Sequence, residues 1–431
     1  MILSSKAEGI PSGIAVIGNG RGGRWGVACL FLWGMALGAM LASAAVSSVE
    51  IQVTPLSPIH GLPDWDWTQA RTAYLDGKQK VWVTTLSQTK KRGSHGYFDI
   101  YESVSLDAGR TWSVPVVIDS LRRRVADDGF AVAPGDLWPV WHPQSGKLLV
   151  TGKTFNFAEG SREDFLREKV SYSVRGTGSE GWGPLRFLAL PTKDHSGAPI
   201  LAANAGCNQP FVLPDGDILL PIRYQRKARE RVYTSTVARC SFDGESLRYR
   251  QHGTEHTNQQ GRGLYEPSMI EFKGRYFLTL RADHSAYVTR GEDGLEFEAI
   301  REWRFDDGSL LGSYNTQQHW VNVGGGLFLV YTRRGADNDH IFRHRAPLFI
   351  AQVDPVRLVV MRETERVLLV EEDACLGNSG ICRISANESW VTCGEVRVSY
   401  GARKGANNRV LFARITALNP VSPLADRDRA H

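Results

Sequence analysis

The sequence predicts an all-β protein, folded as a six-bladed β-propeller. Six times along the chain, a short polar or aromatic stretch leads into an apolar run, a turn usually rich in Gly, Asp or Asn, and a second apolar run. This pattern is typical of a β-hairpin with a tight turn. The hairpins begin 52 to 71 residues apart, which leaves room for two further strands in each interval. A four-stranded unit repeated six times gives a six-bladed propeller. The predicted hairpins are Gln69 to Thr85, Leu137 to Lys153, Asn208 to Arg223, Tyr265 to Arg281, Gln317 to Arg333 and Asn378 to Glu395.

The segments between hairpins supply the outer strands. Four of them have alternating apolar positions on both sides of a turn, as expected for strands with one buried face. Those four segments are FDIYESVSLDAGRTWSVPVVI, VYTSTVARCSFDGESLRY, AYVTRGEDGLEFEAI and LFIAQVDPVRLVVM. At most one helix-like stretch is visible. Residues 49 to 53, VEIQV, are expected to complete the last blade from the N-terminal side, because an open ring would expose a strand edge.

The composition is that of an ordinary folded protein. Of 431 residues, 42% are hydrophobic and 23% are charged, which excludes a disordered or fibrous chain. The formal charge is +5, and after residue 44 there are 48 basic against 45 acidic residues. This balance gives no reason to expect a nucleic-acid partner.

Residues 1 to 45 have the features of a targeting segment. Residues 25 to 46 carry no charge, follow Arg21 and Arg24, and contain Ala42-Ser43-Ala44 in the A-x-A pattern of a signal-peptidase site. The segment is predicted to be a signal peptide or, if uncleaved, a membrane anchor. In either case residues 46 to 431 are expected to form a single propeller in the periplasm or outside the cell, with no other membrane contact.

The cysteines do not form a disulfide or metal framework. Cys29 lies in the apolar segment, and the remaining five cysteines have no CxxC spacing. Buried free thiols, with at most one or two bridges, are predicted. No group of His, Asp or Glu has a metal-site spacing, so the sequence predicts neither a metal nor a cofactor.

A strong local motif follows the first hairpin. SLDAGRTW places Ser105, Asp107, Gly109, Thr111 and Trp112 in the order S-x-D-x-G-x-T-W, and degenerate copies occur at residues 241 to 247 and 289 to 297. Asp107 can accept backbone N–H bonds across the turn, Gly109 suits a positive φ, and Trp112 can pack beneath the hairpin. The motif resembles the structural Asp-box of bacterial neuraminidases. The chain is similar to the sialidase superfamily over nearly all of residues 65 to 400.

The resemblance implies a set of substrate-binding arginines. In that family, a glutamate, a hairpin and an arginine follow one another as Glu266 and Arg281 do in YEPSMIEFKGRYFLTLR. Arg281 then binds the substrate carboxylate, for which a planar bidentate donor is suited. Glu266 is the base that polarises the nucleophile. The resemblance implies two further arginines, Arg71 in QARTAYLDG and Arg345 in FRHRAPLFIAQVD, where Arg343 is a near competitor.

Two departures from the family affect the chemistry. The usual tyrosine nucleophile is absent from the start of the last hairpin, where Asn378 or Ser379 stands. The loop that should supply the aspartate acid/base offers Ser94 and His95, and His95 can transfer protons near neutral pH. The nucleophile is then a tyrosine from another blade, with Tyr265 and Tyr314 as candidates, or water activated by Glu266.

Further polar side chains at hairpin ends are expected at the same mouth of the ring. The predicted substrate-binding residues of this kind are Gln209, Arg223, Gln318, His319 and Asn378. Trp65, Trp67 and Trp138 are candidates for stacking on a sugar ring.

The expected function is therefore an exported exo-glycosidase that hydrolyses terminal acidic sugars from glycans, with sialic acid as the first candidate. Two alternatives remain open. A polysaccharide lyase acting on uronic-acid polymers also needs arginine to neutralise a carboxylate. A catalytically inactive carbohydrate-binding propeller would account for the missing tyrosine.

Overall fold

Six antiparallel sheets make up almost all of the described chain, arranged as a six-bladed propeller. The computed structural model describes residues 47–61, 65–77, 79–90, 97–158, 163–372, 374–396 and 408–419, without the side chains of Lys90 and Ser179. The predicted leader, residues 1 to 45, lies outside these ranges, so its role stays a prediction. Ser94 and His95 also lie outside them.

The strands follow one another blade by blade. Two N-terminal strands belong to the last blade: β1 (Ile51–Pro55) and β2 (Ile59–His60). Blade one contains β3 (Trp65–Asp76), β4 (Lys80–Lys90), β5 (Tyr97–Ser105) and β6 (Val116–Val117). Blade two contains β7 (Arg124–Val125), β8 (Ala131–His142), β9 (Lys147–Phe157), β10 (Val170–Arg175) and β11 (Arg186–Phe187). Blade three contains β12 (Leu201–Asn204), β13 (Phe211–Val212), β14 (Ile218–Gln225), β15 (Tyr233–Phe242), β16 (Leu247–His252) and β17 (His256–Thr257).

The last three blades repeat the plan. Blade four contains β18 (Tyr265–Phe272), β19 (Arg275–Arg281), β20 (Tyr287–Gly291) and β21 (Arg301–Glu302). Blade five contains β22 (His319–Val323), β23 (Gly326–Tyr331), β24 (Leu348–Asp354), β25 (Val359–Val360) and β26 (Arg366–Leu369). Blade six contains β27 (Ser379–Ser385), β28 (Glu388–Gly394) and β29 (Arg409–Ala417). The helices of the described chain are short 3-10 turns: Asp119–Leu121, Phe165–Arg167, Gly178–Glu180, Phe342–His344 and Arg362–Thr364.

These elements confirm the all-β, six-bladed prediction. Each predicted hairpin forms neighbouring inner strands of one sheet, and the predicted outer segments pair beside them. Inner strands are apolar on both faces because neighbouring blades cover both. Accordingly β14 and β23 are buried at every position.

The ring is closed by the N-terminal strand, as predicted. β1 pairs antiparallel with β29, from Ile51 opposite Ala417 to Pro55 opposite Ala413. The paired residues begin two positions later than the predicted 49 to 53. The outer edge of β29 is thereby covered, which removes an exposed row of backbone donors and acceptors.

The Asp-box turn has a dense local hydrogen-bond network. Asp107 accepts from the backbone N–H of Thr111 at 2.9 Å and from its hydroxyl at 2.6 Å. Ser105 Oγ donates to Asp107 at 2.9 Å and accepts from the N–H of Gly109 at 2.9 Å. The bonds from Thr111 lower the pKa of Asp107 to about 2. Trp112 stacks on Phe412 of blade six, with ring centroids 4.5 Å apart. The turn therefore fastens blade one to blade six.

Two further observations concern the cysteines and the helices. The five cysteines from Cys207 onward are buried and free, as predicted. Within the described ranges, no helix has both the length and the apolar composition needed to cross a bilayer.

Gly109→Ala should destabilise the fold by two effects. Gly109 has φ 75°, and an added Cβ would lie 2.9 Å from both Leu56 and Trp390. Gly129→Ala is the matched control, because Gly129 has φ 83° with no atom within 4 Å of the added Cβ. We expect Gly109→Ala to lose about 1–3 kcal/mol more unfolding free energy than Gly129→Ala. Urea denaturation measures both; equal losses would contradict the close contact.

Candidate functional site

Three inner strands carry the same β-bulge at one end of the ring. The pairing register breaks in β3, β8 and β18. In each bulge a non-glycine residue has positive φ: Gln69 at 51°, Asp136 at 53° and Glu266 at 48°. Such conformations cost about 1 kcal/mol or more, and bulges of this kind redirect a side chain. The equivalent placement of three polar residues marks this end of the ring as a candidate site.

Arg71 lies at the centre of this end, 1% exposed. Its guanidinium donates only to protein oxygens, which come from four different blades or the segments leading into them. These acceptors are Ser379 O at 3.2 Å, Leu137 O at 3.1 Å, Gln69 Oε1 at 2.9 Å and Gln317 Oε1 at 2.9 Å. The geometry therefore does not favour the predicted substrate-binding role of Arg71, because its guanidinium already donates four hydrogen bonds to protein oxygens. Arg71 instead ties blades together.

Glu266 and Arg281 do meet at the mouth, together with Arg223. Glu266 accepts from Arg223 Nη1 at 3.0 Å through one oxygen and from Arg281 Nη1 through the other. Burial raises the pKa of Glu266, but the charges of Arg281 and Arg223 outweigh it and hold that pKa well below its usual range. Both oxygens of Glu266 are thus engaged by guanidinium groups, and no hydroxyl of a described residue donates to them. Glu266 therefore orients the two arginines, which differs from the base role that the resemblance implied.

Arg345 and Arg343 extend the positive cluster. Arg281 Nη2 donates to the side chain of Asn315 and Arg345 Nη2 to its backbone oxygen, both at 2.9 Å. Neither Arg345 nor Arg343 has an ion-pair partner within the described residues. Burial, followed by the charge of Arg281, lowers the pKa of Arg345 to about 10. Burial and the charges of Arg281 and Arg262 likewise lower the pKa of Arg343.

Tyr265 belongs to the same network. Its hydroxyl donates to Asp283 Oδ1 at 2.6 Å and accepts from Arg262 Nη2 at 2.6 Å, while Arg281 lies 4.7 Å from its ring centroid. Burial raises the pKa of Tyr265, which keeps the phenol protonated. A nucleophile and a carboxylate base at hydrogen-bond distance are the elements of nucleophilic catalysis. Tyr314, the other candidate, is instead hydrogen-bonded to His344 Nδ1 at 2.6 Å.

The charges of this cluster do not balance. Two carboxylates, Glu266 and Asp283, face five guanidinium groups: Arg223, Arg262, Arg281, Arg343 and Arg345. Three positive charges are therefore left over. Such an excess in a partly desolvated site favours an anionic ligand.

A second group of buried ionisable residues lies beside Glu266 and escaped the sequence analysis. Lys153 Nζ donates to Glu168 at 2.6 Å and to Glu163 at 3.2 Å. Asp136 is 5% exposed, and its Oδ1 has no hydrogen-bond partner within the described residues. Burial raises the pKa of Asp136, with only partial compensation from Lys153. The available signal was the second hairpin's PGDLWP, where Asp136 occupies the position that Glu266 occupies in the fourth.

The remaining residues predicted to bind substrate lie either in the buried core or at the rim of the mouth. Gln209 accepts from the backbone N–H of Trp320 at 2.9 Å, and His319 is fully buried, 2.8 Å from Ser268 Oγ. Gln318 donates to Thr316 O at 2.6 Å. These three predicted ligands are thus engaged in internal hydrogen bonds.

Asn378 is half-buried at the mouth and accepts from Gln317 Nε2 at 3.2 Å. Trp67 and Trp138 are buried, and Trp65 packs edge-on against Phe98. His95 and Ser94 lie outside the described residues.

The opposite end of the ring contains a different feature. A cavity of about 600 Å³ lies at the turn ends of the inner hairpins, lined by aromatic residues that include Trp141, Phe211 and Trp320. Glu266, Arg281 and Tyr265 do not line it. The charged cluster and the cavity are therefore separate.

No family model and no curated protein matches this sequence. Solved structures do match. A protein of unknown function from Dyadobacter fermentans DSM 18053 has a TM-score of 0.60 at 12% identity, over 85% of this chain and 99% of that chain. Trypanosoma rangeli sialidase in complex with sialic acid has a TM-score of 0.58 at 12% identity, over 86% of this chain and 60% of that chain. The NanB sialidase from Streptococcus pneumoniae has a TM-score of 0.55 at 12% identity, over 86% and 71% respectively.

The fold is that of the sialidase propellers. At 12% identity the likeness concerns the fold alone. Within this sialidase-like propeller, the arrangement of Glu266 between two arginines is a property of this chain's own residues.

Arg71→Met should be far more destabilising than Arg343→Met. The first change leaves up to four buried oxygens without their donor, at about 1–3 kcal/mol for each one that stays unpaired. The second removes a guanidinium with no hydrogen bond to a described residue, so we expect a change within about 0.5 kcal/mol. Chemical denaturation of both variants measures the difference. Equal stability would contradict the role of Arg71 in joining blades.

Asp136→Asn should improve stability relative to wild type as the pH rises. The pKa of Asp136 is raised in the folded state, so its stabilising contribution is complete below the unfolded value of about 3.9 and is lost on ionisation at higher pH. Asn cannot ionise, so the variant avoids that loss. Urea denaturation at about pH 4 and about pH 8 compares the two proteins. A pH-independent difference would show that Asp136 does not ionise with a raised pKa.

Proposed function

We propose that this protein is a glycosidase that removes terminal carboxylated sugars from glycans, with sialic acid as the first candidate substrate. The observation that carries the proposal is the excess of three guanidinium charges at the mouth. Arg343 and Arg345 have no carboxylate partner within the described residues, and both lie within the electrostatic reach of Arg281. A substrate carboxylate would supply the missing negative charge.

Carboxylate recognition would involve three arginines: Arg281, Arg343 and Arg345. Arg281 is held by Glu266 and Asn315, which orients its guanidinium before substrate binds. Arg345 is held by the backbone of Asn315, and its Nε is buried without a partner in the described structure. Gly377 lies against this arginine, since an added Cβ there would be 2.8 Å from Arg345 Cδ. A neutral sugar would leave the repulsion among these cations uncompensated.

Tyr265 is the nucleophile in this proposal, and Asp283 is its base. The Tyr265 hydroxyl would attack the anomeric carbon while its proton passes to Asp283, which lies 2.6 Å away. Arg262, also 2.6 Å from the hydroxyl, would stabilise the developing phenolate. The bond to the glycosidic oxygen breaks as the bond to Tyr265 forms. The nucleophile would thus come from blade four rather than from the start of blade six.

Asp136 is the proposed proton donor. Burial raises its pKa, which favours the protonated form, and its buried Oδ1 has no hydrogen-bond partner within the described residues. The departing glycosidic oxygen would take that proton. Water, deprotonated by Asp136, would then attack the anomeric carbon, and Tyr265 would leave and regain its proton from Asp283. His95 is the other candidate donor. Two displacements at one carbon give retention of configuration.

Export is also proposed. Residues 1 to 45 would direct the propeller to the periplasm or the cell exterior, where terminal sugars of glycans are accessible.

A binding propeller without turnover is the second candidate. It is favoured by the two ion pairs that occupy both oxygens of Glu266 and by Asn378 at the start of the last hairpin. A uronic-acid lyase would use the same arginines. The reaction product distinguishes the three candidates.

Product analysis tests the enzyme assignment. Purified protein is incubated with sialylated glycans and uronic-acid polysaccharides, and products are identified by mass spectrometry. We expect wild type to release a free carboxylated sugar and Tyr265→Phe to be slower by about a thousandfold or more. Tyr287→Phe is the matched control in the same blade, since the Tyr287 hydroxyl contacts Asn258 rather than the site. An unsaturated product would indicate a lyase, and binding without product would indicate the inactive propeller.

Arg343→Gln and Arg345→Gln test carboxylate recognition separately from turnover. Each should weaken binding of a carboxylated sugar by about 10- to 100-fold, the value of one charge-assisted hydrogen bond. Binding of the corresponding methyl ester should change little, because it lacks the charge. Arg301→Gln, on the exposed outer strand β21, is the control. Equal weakening for acid and ester would contradict a carboxylate site.

A further inference from the structure

The flank of blade three brings His195 together with His252 and Glu255, two residues that lie close to each other but far from His195 in sequence. His195 lies in the segment between β11 and β12, His252 ends β16, and Glu255 lies in the turn before β17. One ligand atom from each of the three lies within 4.8 Å of the others. The sequence analysis predicted no metal site because this grouping exists only after the segment before β12 folds against β16.

The donor atoms lie close to one another. His252 Nε2 is 2.9 Å from Glu255 Oε1, and His195 Nδ1 is 3.9 Å from the same oxygen. The backbone N–H of His195 donates to this oxygen at 2.8 Å, and the other carboxylate oxygen of Glu255 accepts from Arg226 Nη2 at 2.8 Å, so Oε1 faces the imidazoles. Zinc ligands at about 2.0–2.2 Å from the metal require similarly close spacing.

We propose that His195, His252 and Glu255 bind a Zn²⁺-class transition metal, with water completing the coordination. Two imidazoles and one carboxylate form a donor set that zinc accepts, whereas Ca²⁺ and Mg²⁺ prefer oxygen ligands throughout. The site is independent of the proposed glycosidase chemistry.

The surroundings match the needs of such a site. The Tyr249 hydroxyl lies 2.7 Å from His252 Nδ1. When the metal takes Nε2, the proton of His252 moves to Nδ1 and is donated to Tyr249, so the hydroxyl holds the ring in the ligating tautomer. Nearby charge also favours a cation, because a single arginine, Arg226, forms ion pairs with both Asp194 and Glu255.

The two histidines have different roles in binding. Their rings are stacked, with centroids 4.0 Å apart and planes 9° apart, so one ring must turn for both nitrogens to point at one metal. The His195 side chain is 58% exposed and can turn, whereas His252 is 4% exposed. His252 and Glu255 form the fixed part of the site, and His195 completes it. The bound metal would fasten the segment before β12 to blade three.

Metal titration tests the site. Protein purified without a histidine tag and stripped with a chelator is titrated with Co²⁺, followed by visible absorption, and with Zn²⁺ in competition with a chromophoric chelator. We expect one saturable equivalent per chain and a rise in the thermal midpoint on adding Zn²⁺. His195→Ala should weaken binding by at least about tenfold and abolish the thermal shift, and Tyr249→Phe should weaken it by about 10- to 100-fold.

Two features of these variants allow a loss of metal binding to be distinguished from a loss of folding. His195 is exposed, so its variant is expected to fold even if a change at buried His252 prevents folding. His284→Ala removes another exposed histidine and should leave binding unchanged. The proposal is overturned if no saturable site exists or if His195→Ala binds as tightly as wild type.

Discussion

Closure of the ring is the constraint on which the rest of this structure depends. Each blade buries both faces of its inner strands against its neighbours, so no blade can satisfy its apolar surface alone. Closure requires that the free edge of β29 be covered, and β1 pairs with that edge. It also requires that the blades be linked at the centre, and Arg71 does this by donating to oxygens from four blades or the segments leading into them. The same closure brings the bulged ends of β3, β8 and β18 together. The polar site is a consequence of how the ring is completed.

Charge gives the site its character. A buried guanidinium is costly unless it is paired, and Arg223 and Arg281 share Glu266 for that purpose. Arg343 and Arg345 add positive charge without a matching carboxylate in the described structure, and mutual repulsion contributes to lowering the pKa of both. An anionic ligand relieves that repulsion. The pairing also leaves Glu266 without a nucleophile to act on, since its two oxygens face Arg223 and Arg281 whereas the Tyr265 hydroxyl donates to Asp283.

The proposed chemistry is distributed differently from what the resemblance implied. The start of the last hairpin has Asn378, and the proposed nucleophile is Tyr265 on blade four, whose hydroxyl donates to Asp283 beside the arginine cluster. Tyr265 lies immediately before the bulge that redirects Glu266, so one local irregularity in β18 determines the environment of both residues. Different blades of a propeller can supply the reactive group, because all six blades present their strand ends at the same mouth.

The sequence by itself determined the fold class, the six hairpins, the closing strand and the Asp-box, because each depends on local periodicity or turn chemistry. It also identified Glu266 and Arg281 as neighbours through hairpin geometry, while Arg345 followed from the resemblance to the sialidase superfamily. Only the tertiary structure decided which of these polar side chains already have hydrogen-bond partners within the protein. Arg71 and His319 have the residue types of ligands, but their partners come from other blades. The lack of a partner for Asp136 Oδ1 in the described structure, the Tyr265–Asp283 pair and the contact of His195 with His252 and Glu255 are likewise products of long-range packing.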